Sequence, residues 1–289
     1  MITIRQNRGR HARSGGFTLV EILVVIAIIV ILAALLTPVA MRALTTSRNA
    51  RMGIELAQLD QAIEAYRLEM GDYPPSFGEN YSPANRYYTA MEQHLRKCFP
   101  NMSKATKDAF YDILVNMQST GKEISQDEAL VLWLSKLSTD KTNPFRVDGP
   151  RKVFREFDAR RLSDADGDGF QAFDAGYARG TPYVYLDSRT YRLHCTAATA
   201  ATTQLGASGP RIQPYFDVTG KFMRPTAFQI ICAGQDGDFG AAKDITFNAA
   251  GIPTANHRVF PASMNYTDED MDNLTNFSDG KTLKNLIPQ

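Results

Sequence analysis

The sequence is short of the residues that mark disulfide scaffolds, zinc proteins and nucleic-acid-binding proteins. Its 289 residues include three cysteines, one tryptophan and four histidines. Lys and Arg number 32 against 31 Asp and Glu, a formal charge of +1, so the chain lacks the basic excess that favours nucleic acid. A mean hydropathy of −0.27 excludes a polytopic membrane protein. With 44% hydrophobic and 22% charged residues, the composition is that of a globular protein.

The sequence motifs of common enzymes are also missing. There is no Gly-x-Ser-x-Gly, no Walker A loop, no His-Glu-x-x-His, and no Gly-x-Gly-x-x-Gly after a strand. The histidines are scattered, and no Cys-x-x-Cys or Cys/His spacing predicts zinc. We therefore expect a protein without enzymatic activity. A membrane-anchored domain with an unrecognised activity is the remote alternative.

One apolar run stands out against this background. Residues 17–36 read FTLVEILVVIAIIVILAALL, in which 18 of 20 residues are apolar. As a helix this run is about 30 Å long, enough to span a bilayer. The segment before it contains no acidic residue and four arginines: Arg5, Arg8, Arg10 and Arg13. The positive-inside rule then predicts a single-pass inner-membrane protein with a cytoplasmic N-terminus and a periplasmic C-terminal portion.

A cleaved secretory signal peptide is the first alternative for this segment. The apolar run is longer than the ~7–15 residues of a signal peptide, and only residues 37–40 offer a weak cleavage site after it. A plain membrane anchor is the second alternative, and Glu21 argues against it. A carboxylate at the bilayer centre costs about 2.5 kcal/mol or more and usually has a partner. The run holds no cation to neutralise Glu21.

The residues around this carboxylate carry a family resemblance. The segment Ser14-Gly15-Gly16-Phe17-Thr18-Leu19-Val20-Glu21 resembles the processing site of type IV pilins and type II secretion pseudopilins. The resemblance implies that a prepilin peptidase cuts between Gly16 and Phe17 and methylates the new amino group of Phe17. It also implies that Glu21 pairs with this amine on a neighbouring copy during assembly. Such a pair would offset the desolvation of both charges.

The resemblance extends to the fold. It predicts an α+β, pilin-like protein in which a long N-terminal helix packs on a small antiparallel sheet, with an α-helical insertion. The expected segments are a cleaved basic leader (1–16), a transmembrane helix (17–40), an amphipathic helix (41–71), a loop and helical insertion (72–150), a β-rich part with acidic loops (151–249) and a polar tail of little structure (250–289). Pro38 predicts a kink or local unwinding, or simply marks the membrane exit.

The amphipathic helix is predicted from apolar residues at alternating spacings of three and four. This stripe, expected to pack on the sheet rather than form a coiled-coil seam, comprises Met52, Leu56, Leu59, Ile63, Tyr66 and Met70. The face expected to be exposed holds Arg51, Glu55, Gln58, Asp60, Glu64 and Arg67. Gly71 is a plausible residue to end the helix.

Further elements are predicted along the rest of the chain. Residues 90–97 and 104–118 read as helices, and a capping box at Ser125–Glu128 predicts a third helix through Leu137. Alternating apolar residues predict a β-hairpin over 181–195 and a strand over 227–233.

Two acidic, glycine-containing loops are candidate structural Ca²⁺ sites. The first holds Asp164, Asp166, Asp168 and Asp174. Its alternating carboxylates resemble the start of an EF-hand loop, but Ala175 occupies the position of the bidentate Glu. The second holds Asp236, Asp238 and Asp244, and its place after a late strand resembles the calcium-bearing loop of major pseudopilins. The alternative for both loops is a solvated turn.

The three cysteines are expected to face an oxidising compartment. Cys195 and Cys232 lie on segments that resemble strands and are candidates for a disulfide, while buried thiols are the alternative.

The resemblance therefore predicts a type II secretion pseudopilin that polymerises into a periplasmic pseudopilus for protein export. Its expected partners are the prepilin peptidase, other copies and minor pseudopilins, the inner-membrane assembly platform and the lipid bilayer. The alternative is a subunit of a type IV pilus or DNA-uptake fibre. Without the four leader arginines the chain has 28 basic and 31 acidic residues, a formal charge of −3, so no nucleic acid is expected as a partner.

Overall fold

The computed structural model describes residues 18–77, 86–119, 124–165, 167–176, 180–195, 212–240, 243–262 and 265–287. Its contacts divide the chain into two units, residues 1–46 and 47–289, which are described separately. The first unit contains the start of helix α1, which as a whole runs over Leu19–Met70. Its apolar side chains are exposed throughout; Val24 is 48% exposed and Leu19 is 80% exposed. A helix of this composition needs an apolar environment such as lipid.

The second unit is an α+β domain. After α1 come the helices α2 (Arg86–Cys98) and α3 (Lys104–Ser119), and then a short helix α4 (Ala129–Val131) that widens into a π-helical turn over Leu132–Lys136. A three-stranded antiparallel sheet has the order β3 (Val184–Asp187), β4 (Phe228–Cys232) and β7 (Leu274–Thr275). Two small antiparallel ribbons complete the fold, β1 (Leu162–Ser163) with β2 (Ala172–Phe173) and β5 (Thr246–Phe247) with β6 (Pro253–Ala255).

The sheet separates two hydrophobic clusters, because successive strand residues point to opposite faces. On one face, Tyr185 and its partner Ile230 join the cluster that contains the apolar stripe of α1. On the other face, Val184 and its partner Ile231 join a cluster formed with loop residues such as Tyr215 and Phe239. All five residues of β4 are buried. The central strand therefore supports both halves of the core.

The predicted stripe of α1 is confirmed as core. Met52, Leu56, Leu59, Ile63 and Tyr66 are each no more than 1% exposed, and burying a side chain of this size contributes about 1.5–3 kcal/mol. Gly71 follows the helix with φ +86° and donates its N–H to the Arg67 carbonyl at 2.8 Å, as expected of a left-handed cap.

Two predictions about the strands are wrong. The second arm of the expected hairpin is a 3₁₀ helix over Tyr191–Cys195, and β3 pairs with β4 instead. The distant Phe-Gln-Ile-Ile-Cys run of β4 is the better partner because both of its faces are buried. The tail expected to carry little structure supplies β7, whose Leu274 and Thr275 are fully buried beside β4.

The predicted capping box of the third helix is formed in part. The Ser125 N–H donates to Glu128 Oε2 at 2.7 Å, as the motif requires. The Ser125 hydroxyl donates to Asp127 instead of capping the backbone. Turn residues over 126–128 then lead into α4 and the π-helical turn, so this helix is shorter and wider than expected.

Candidate functional site at the start of the N-terminal helix

A complete capping box opens helix α1. The Thr18 N–H and hydroxyl each donate to Glu21 Oε2 at 2.8 Å. In return, the Glu21 N–H donates to the Thr18 hydroxyl at 3.2 Å. These bonds satisfy backbone N–H groups that a helix start leaves without partners. The Glu21 carboxylate, for which the run offers no cation, thus has neutral donors within its own chain. The Thr-x-x-Glu spacing was the signal for this arrangement in the sequence.

The helix continues without interruption beyond this start. Pro38 lies inside α1, and residues 34–37 before it are helical. Local unwinding is thus not found in this part of the chain, and a kink formed during assembly stays a prediction. The Thr37 hydroxyl donates to the Ala33 carbonyl at 2.7 Å, so this polar group has its hydrogen-bond acceptor within the helix. Gly16 and Phe17, the expected cleavage site, lie outside the described residues.

The helix start is the part of the chain that comparison with known proteins identifies. The prokaryotic N-terminal methylation motif matches residues 11–37. Over these residues the chain resembles the pilins. This motif is typical of type IV pilins and pseudopilins, and it implies processing by a prepilin peptidase and assembly into polymers. The motif and the apolar helix fit an inner-membrane-anchored protein. Neither the curated proteins nor the solved structures gave a match to this chain.

In the second unit, the described carboxylates of the first acidic loop accept hydrogen bonds from within the chain. The Asp164 carboxylate accepts the backbone N–H groups of Asp168 and Gly169 at 3.1 Å each. Asp174 is buried, and its two carboxylate oxygens accept the Ser163 hydroxyl and the Gly180 N–H at 3.0 Å. Asp174 therefore serves the adjoining ribbon rather than the loop.

The remaining loop carboxylates leave the Ca²⁺ prediction open. Asp166 lies outside the described residues. Within the part of the chain that the structure describes, no three acidic, histidine or cysteine side chains are grouped to hold a metal ion.

The second acidic loop is closed by a residue that the sequence analysis missed. Asp272, from the polar tail, accepts the backbone N–H groups of Gln235 at 2.5 Å and Asp236 at 3.1 Å. Within the loop, Asp236 accepts the Asp238 N–H at 2.8 Å and Asp238 accepts the Gly240 N–H at 2.9 Å. Burial raises the pKa of Asp272, and the neighbouring Asp236 carboxylate raises it further. An acidic cluster of this kind is stabilised by a cation.

The proposed disulfide between Cys195 and Cys232 is wrong. All three cysteines are buried thiols. Cys195 packs in a cluster with Phe216 and Ile245, whereas Cys232 packs in the cluster of α1 with its sulfur 3.6 Å from Met52 Sδ. The two residues belong to different clusters, and 191–195 is a 3₁₀ helix rather than a strand paired with β4.

The third cysteine belongs to a buried polar cluster that the sequence analysis missed. His94 Nδ1 lies 3.6 Å from Cys98 Sγ and 3.3 Å from Asp72 Oδ2, and its Nε2 lies 2.8 Å from the Tyr66 hydroxyl. Burial raises the pKa of Cys98 to about 12, so the sulfur is a neutral thiol rather than a nucleophile. The thiol and the carboxylate approach the same ring nitrogen, so Cys98, His94 and Asp72 do not form a thiol–imidazole–carboxylate relay.

A buried ion pair joins α1 to the 3₁₀ helix Ala159–Arg161, which comes just before β1. Glu55, expected on the exposed face, is 7% exposed and accepts both Nη atoms of Arg161, at 2.8 and 2.7 Å. The Tyr183 hydroxyl donates to the same carboxylate at 2.6 Å. Burial alone would raise the pKa of Glu55, but the hydrogen bonds from Arg161 and Tyr183 outweigh it and lower the pKa. Glu55 is thus buried although it lies opposite the apolar stripe, because a tertiary partner compensates its charge.

Proposed function

We propose that this chain is a pseudopilin of a type II secretion system. After removal of residues 1–16, mature copies would polymerise through α1 into a periplasmic pseudopilus for protein export. The observation that carries this proposal is Glu21, a carboxylate at the start of an exposed apolar helix within the methylation motif. A cut before Phe17 creates a positive amine four residues from this carboxylate, and pairing between copies would compensate both charges.

The charge of the mature chain favours secretion over DNA uptake. Its formal charge of −3 opposes binding to a polyanion. A type IV pilus subunit remains the second candidate, since the methylation motif occurs in both classes. Deletion of the gene distinguishes the two: loss of folded exoproteins from the medium supports the proposal, whereas loss of surface fibres or DNA uptake with normal secretion supports a pilus.

Substitution of Gly16 is expected to block maturation. Gly16→Glu places a bulky charged side chain at the bond that the peptidase must cut, so the precursor should accumulate in the membrane. Intact-mass analysis of the purified chain measures this directly, because the wild type should begin with a methylated Phe17. Gly15→Ala, one residue further from the bond, is the matched control. Normal processing of Gly16→Glu would contradict the proposed cleavage site.

We also propose that Ca²⁺ stabilises the acidic loops. Extracellular Ca²⁺ sites commonly have dissociation constants of ~10⁻⁴–10⁻³ M, so about 10 mM Ca²⁺ should stabilise the fold by roughly 1–3 kcal/mol. Thermal unfolding in Ca²⁺ against chelator measures the effect. Asp236→Asn should reduce it, whereas Asp148→Asn, an exposed control outside both loops, should not. An unchanged Tm in the wild type would remove the metal from the proposal.

A further inference from the structure

A small polar cavity lies among the C-terminal loops of the second unit. Its volume is about 100 Å³. Every residue that lines it is polar or charged, including Gln213, Lys243, Asn256, Arg258 and Tyr266. Small-molecule sites in proteins usually measure about 300–1,000 Å³. The cavity is therefore too small for a nucleotide or a peptide, but it has room for a single small ion.

Arg258 presents a buried guanidinium to this cavity. The residue is 2% exposed, and the backbone around it is held by a hydrogen bond from the Phe216 N–H to the Arg258 carbonyl at 2.8 Å. Its Nη2 lies 3.0 Å from Asp270 Oδ1 as an ion pair. The same nitrogen is fully buried, and within the described residues it makes no aligned hydrogen bond. Asp270 compensates the charge, and an acceptor aligned with the N–H groups of this nitrogen would stabilise the buried guanidinium further.

Tyr266 supplies a second donor of the same kind. Its hydroxyl is buried and has no hydrogen-bond partner within the described part of the chain, and the residue lines the same cavity. Burial raises the pKa of this phenol, so it keeps its proton and can donate a hydrogen bond to an acceptor atom in the cavity. Two donors from different residues thus require oxygen acceptors in one small space.

The charge around the cavity is positive. Asp270 and Arg258 compensate each other, and Asp270 Oδ2 already accepts the Thr267 N–H at 2.8 Å and the Thr267 hydroxyl at 3.1 Å. Lys243 adds a further cation, and it forms no ion pair with the residues that the structure describes. The amide nitrogens of Gln213 and Asn256 donate instead to the backbone carbonyls of Lys243 and Asp244. A negatively charged ligand in the cavity would therefore balance the charge of these groups.

We propose that this cavity binds a small oxyanion of the phosphate or sulfate class. Arg258 Nη2 and the Tyr266 hydroxyl donate hydrogen bonds to the oxyanion, and Lys243 balances its charge at the rim. The bound ion would join the loop segments around residues 243, 258 and 266, which all line the cavity. Its function is to hold these C-terminal loops together.

The test is a titration of the full chain in phospholipid nanodiscs with inorganic sulfate, at constant ionic strength set by chloride. We expect a saturable rise in Tm of about 5 °C in the millimolar range. Tyr266→Phe removes only the hydroxyl and should weaken sulfate binding about tenfold, as should Lys243→Gln. Lys221→Gln, at an exposed turn, is the matched control and should titrate like the wild type. Arg258 is left unchanged, because its loss would leave the buried Asp270 carboxylate without its ion-pair partner.

Two results would overturn the proposal. Sulfate stabilises many proteins by exclusion from their surface, an effect that rises without saturation. If the wild type and both cavity variants show the same unsaturated rise, no specific site exists. If sulfate and phosphate leave the wild-type Tm unchanged, the cavity holds water only.

Discussion

Glu21→Ala is expected to abolish incorporation into fibres while leaving membrane insertion intact. Removal of one partner of a buried ion pair typically costs about 3–5 kcal/mol, and each subunit contact in the proposed fibre would lose one carboxylate. This corresponds to a reduction of more than a hundredfold in the association constant at every contact. Crosslinking between subunits, together with fractionation of membranes and sheared fibres, measures assembly and insertion separately.

The capping box makes a second variant necessary. Glu21 also holds the helix start through Thr18, so Glu21→Ala removes both a charge and a cap. Glu21→Gln keeps the acceptor that a capping box needs but carries no charge. If the charge pairs with the Phe17 amine of another copy, Glu21→Gln should fail to assemble as completely as Glu21→Ala.

A complementary variant isolates the cap. Thr18→Val removes the hydroxyl of the capping box and leaves the carboxylate, so it should still assemble. Assembly by Glu21→Gln together with failure of Thr18→Val would show that Glu21 acts only as a helix cap, and the proposed intersubunit pair would be wrong.

The second large effect concerns the stability of the second unit, residues 47–289. Glu55→Ala leaves Arg161 without its bidentate partner at a site where the two side chains are 9% and 16% exposed. We expect a loss of about 3 kcal/mol in the free energy of unfolding. Glu69→Ala is the matched control, since it removes a carboxylate from the same helix. Its partner Lys152 and Glu69 itself are 36% and 46% exposed, so the loss should stay below ~1 kcal/mol.

The pH dependence of this loss follows from the lowered pKa of Glu55. Because folding lowers that pKa, the ionised carboxylate stabilises the fold above its usual value of 4.5, and this contribution disappears as the pH falls through the folded pKa. The difference between wild type and Glu55→Ala should therefore be full at pH 7 and shrink in acid. Urea unfolding of both proteins at pH 7 and in acid measures this difference in the free energy of unfolding. Equal destabilisation by Glu55→Ala and Glu69→Ala at pH 7 would contradict the role of the buried pair.

Local signals predicted the helices well. The spacing of Met52, Leu56 and Leu59 reports which face of α1 is buried, since periodicity in a helix depends only on its own geometry. The apolar run and the motif around Glu21 are likewise local, and they carry the pilin-like identification. Gly71 ends the helix for a reason confined to its own backbone.

Partners distant in the sequence were not predictable in the same way. The alternation of Tyr191, Leu193 and Cys195 fits a strand, but strand pairing depends on which segment offers the better buried surface, and β4 is that segment for β3. The polar tail reads as irregular, although two of its residues form an edge strand of the sheet. The disulfide prediction failed for the same reason, because it assumed a strand at Cys195.

The sequence alone determined that the chain has a membrane-length apolar helix, a pilin-type processing motif and a carboxylate, Glu21, within that helix. Each of these features consists of residues that follow one another in the chain. The tertiary structure alone decided that Glu55 is buried against Arg161, that Asp272 closes the second acidic loop and that Arg258 and Tyr266 face one cavity. Burial and charge compensation depend on residues that are not neighbours in the sequence, such as Glu55 and Arg161 or Asp272 and Gln235, and only folding brings them together.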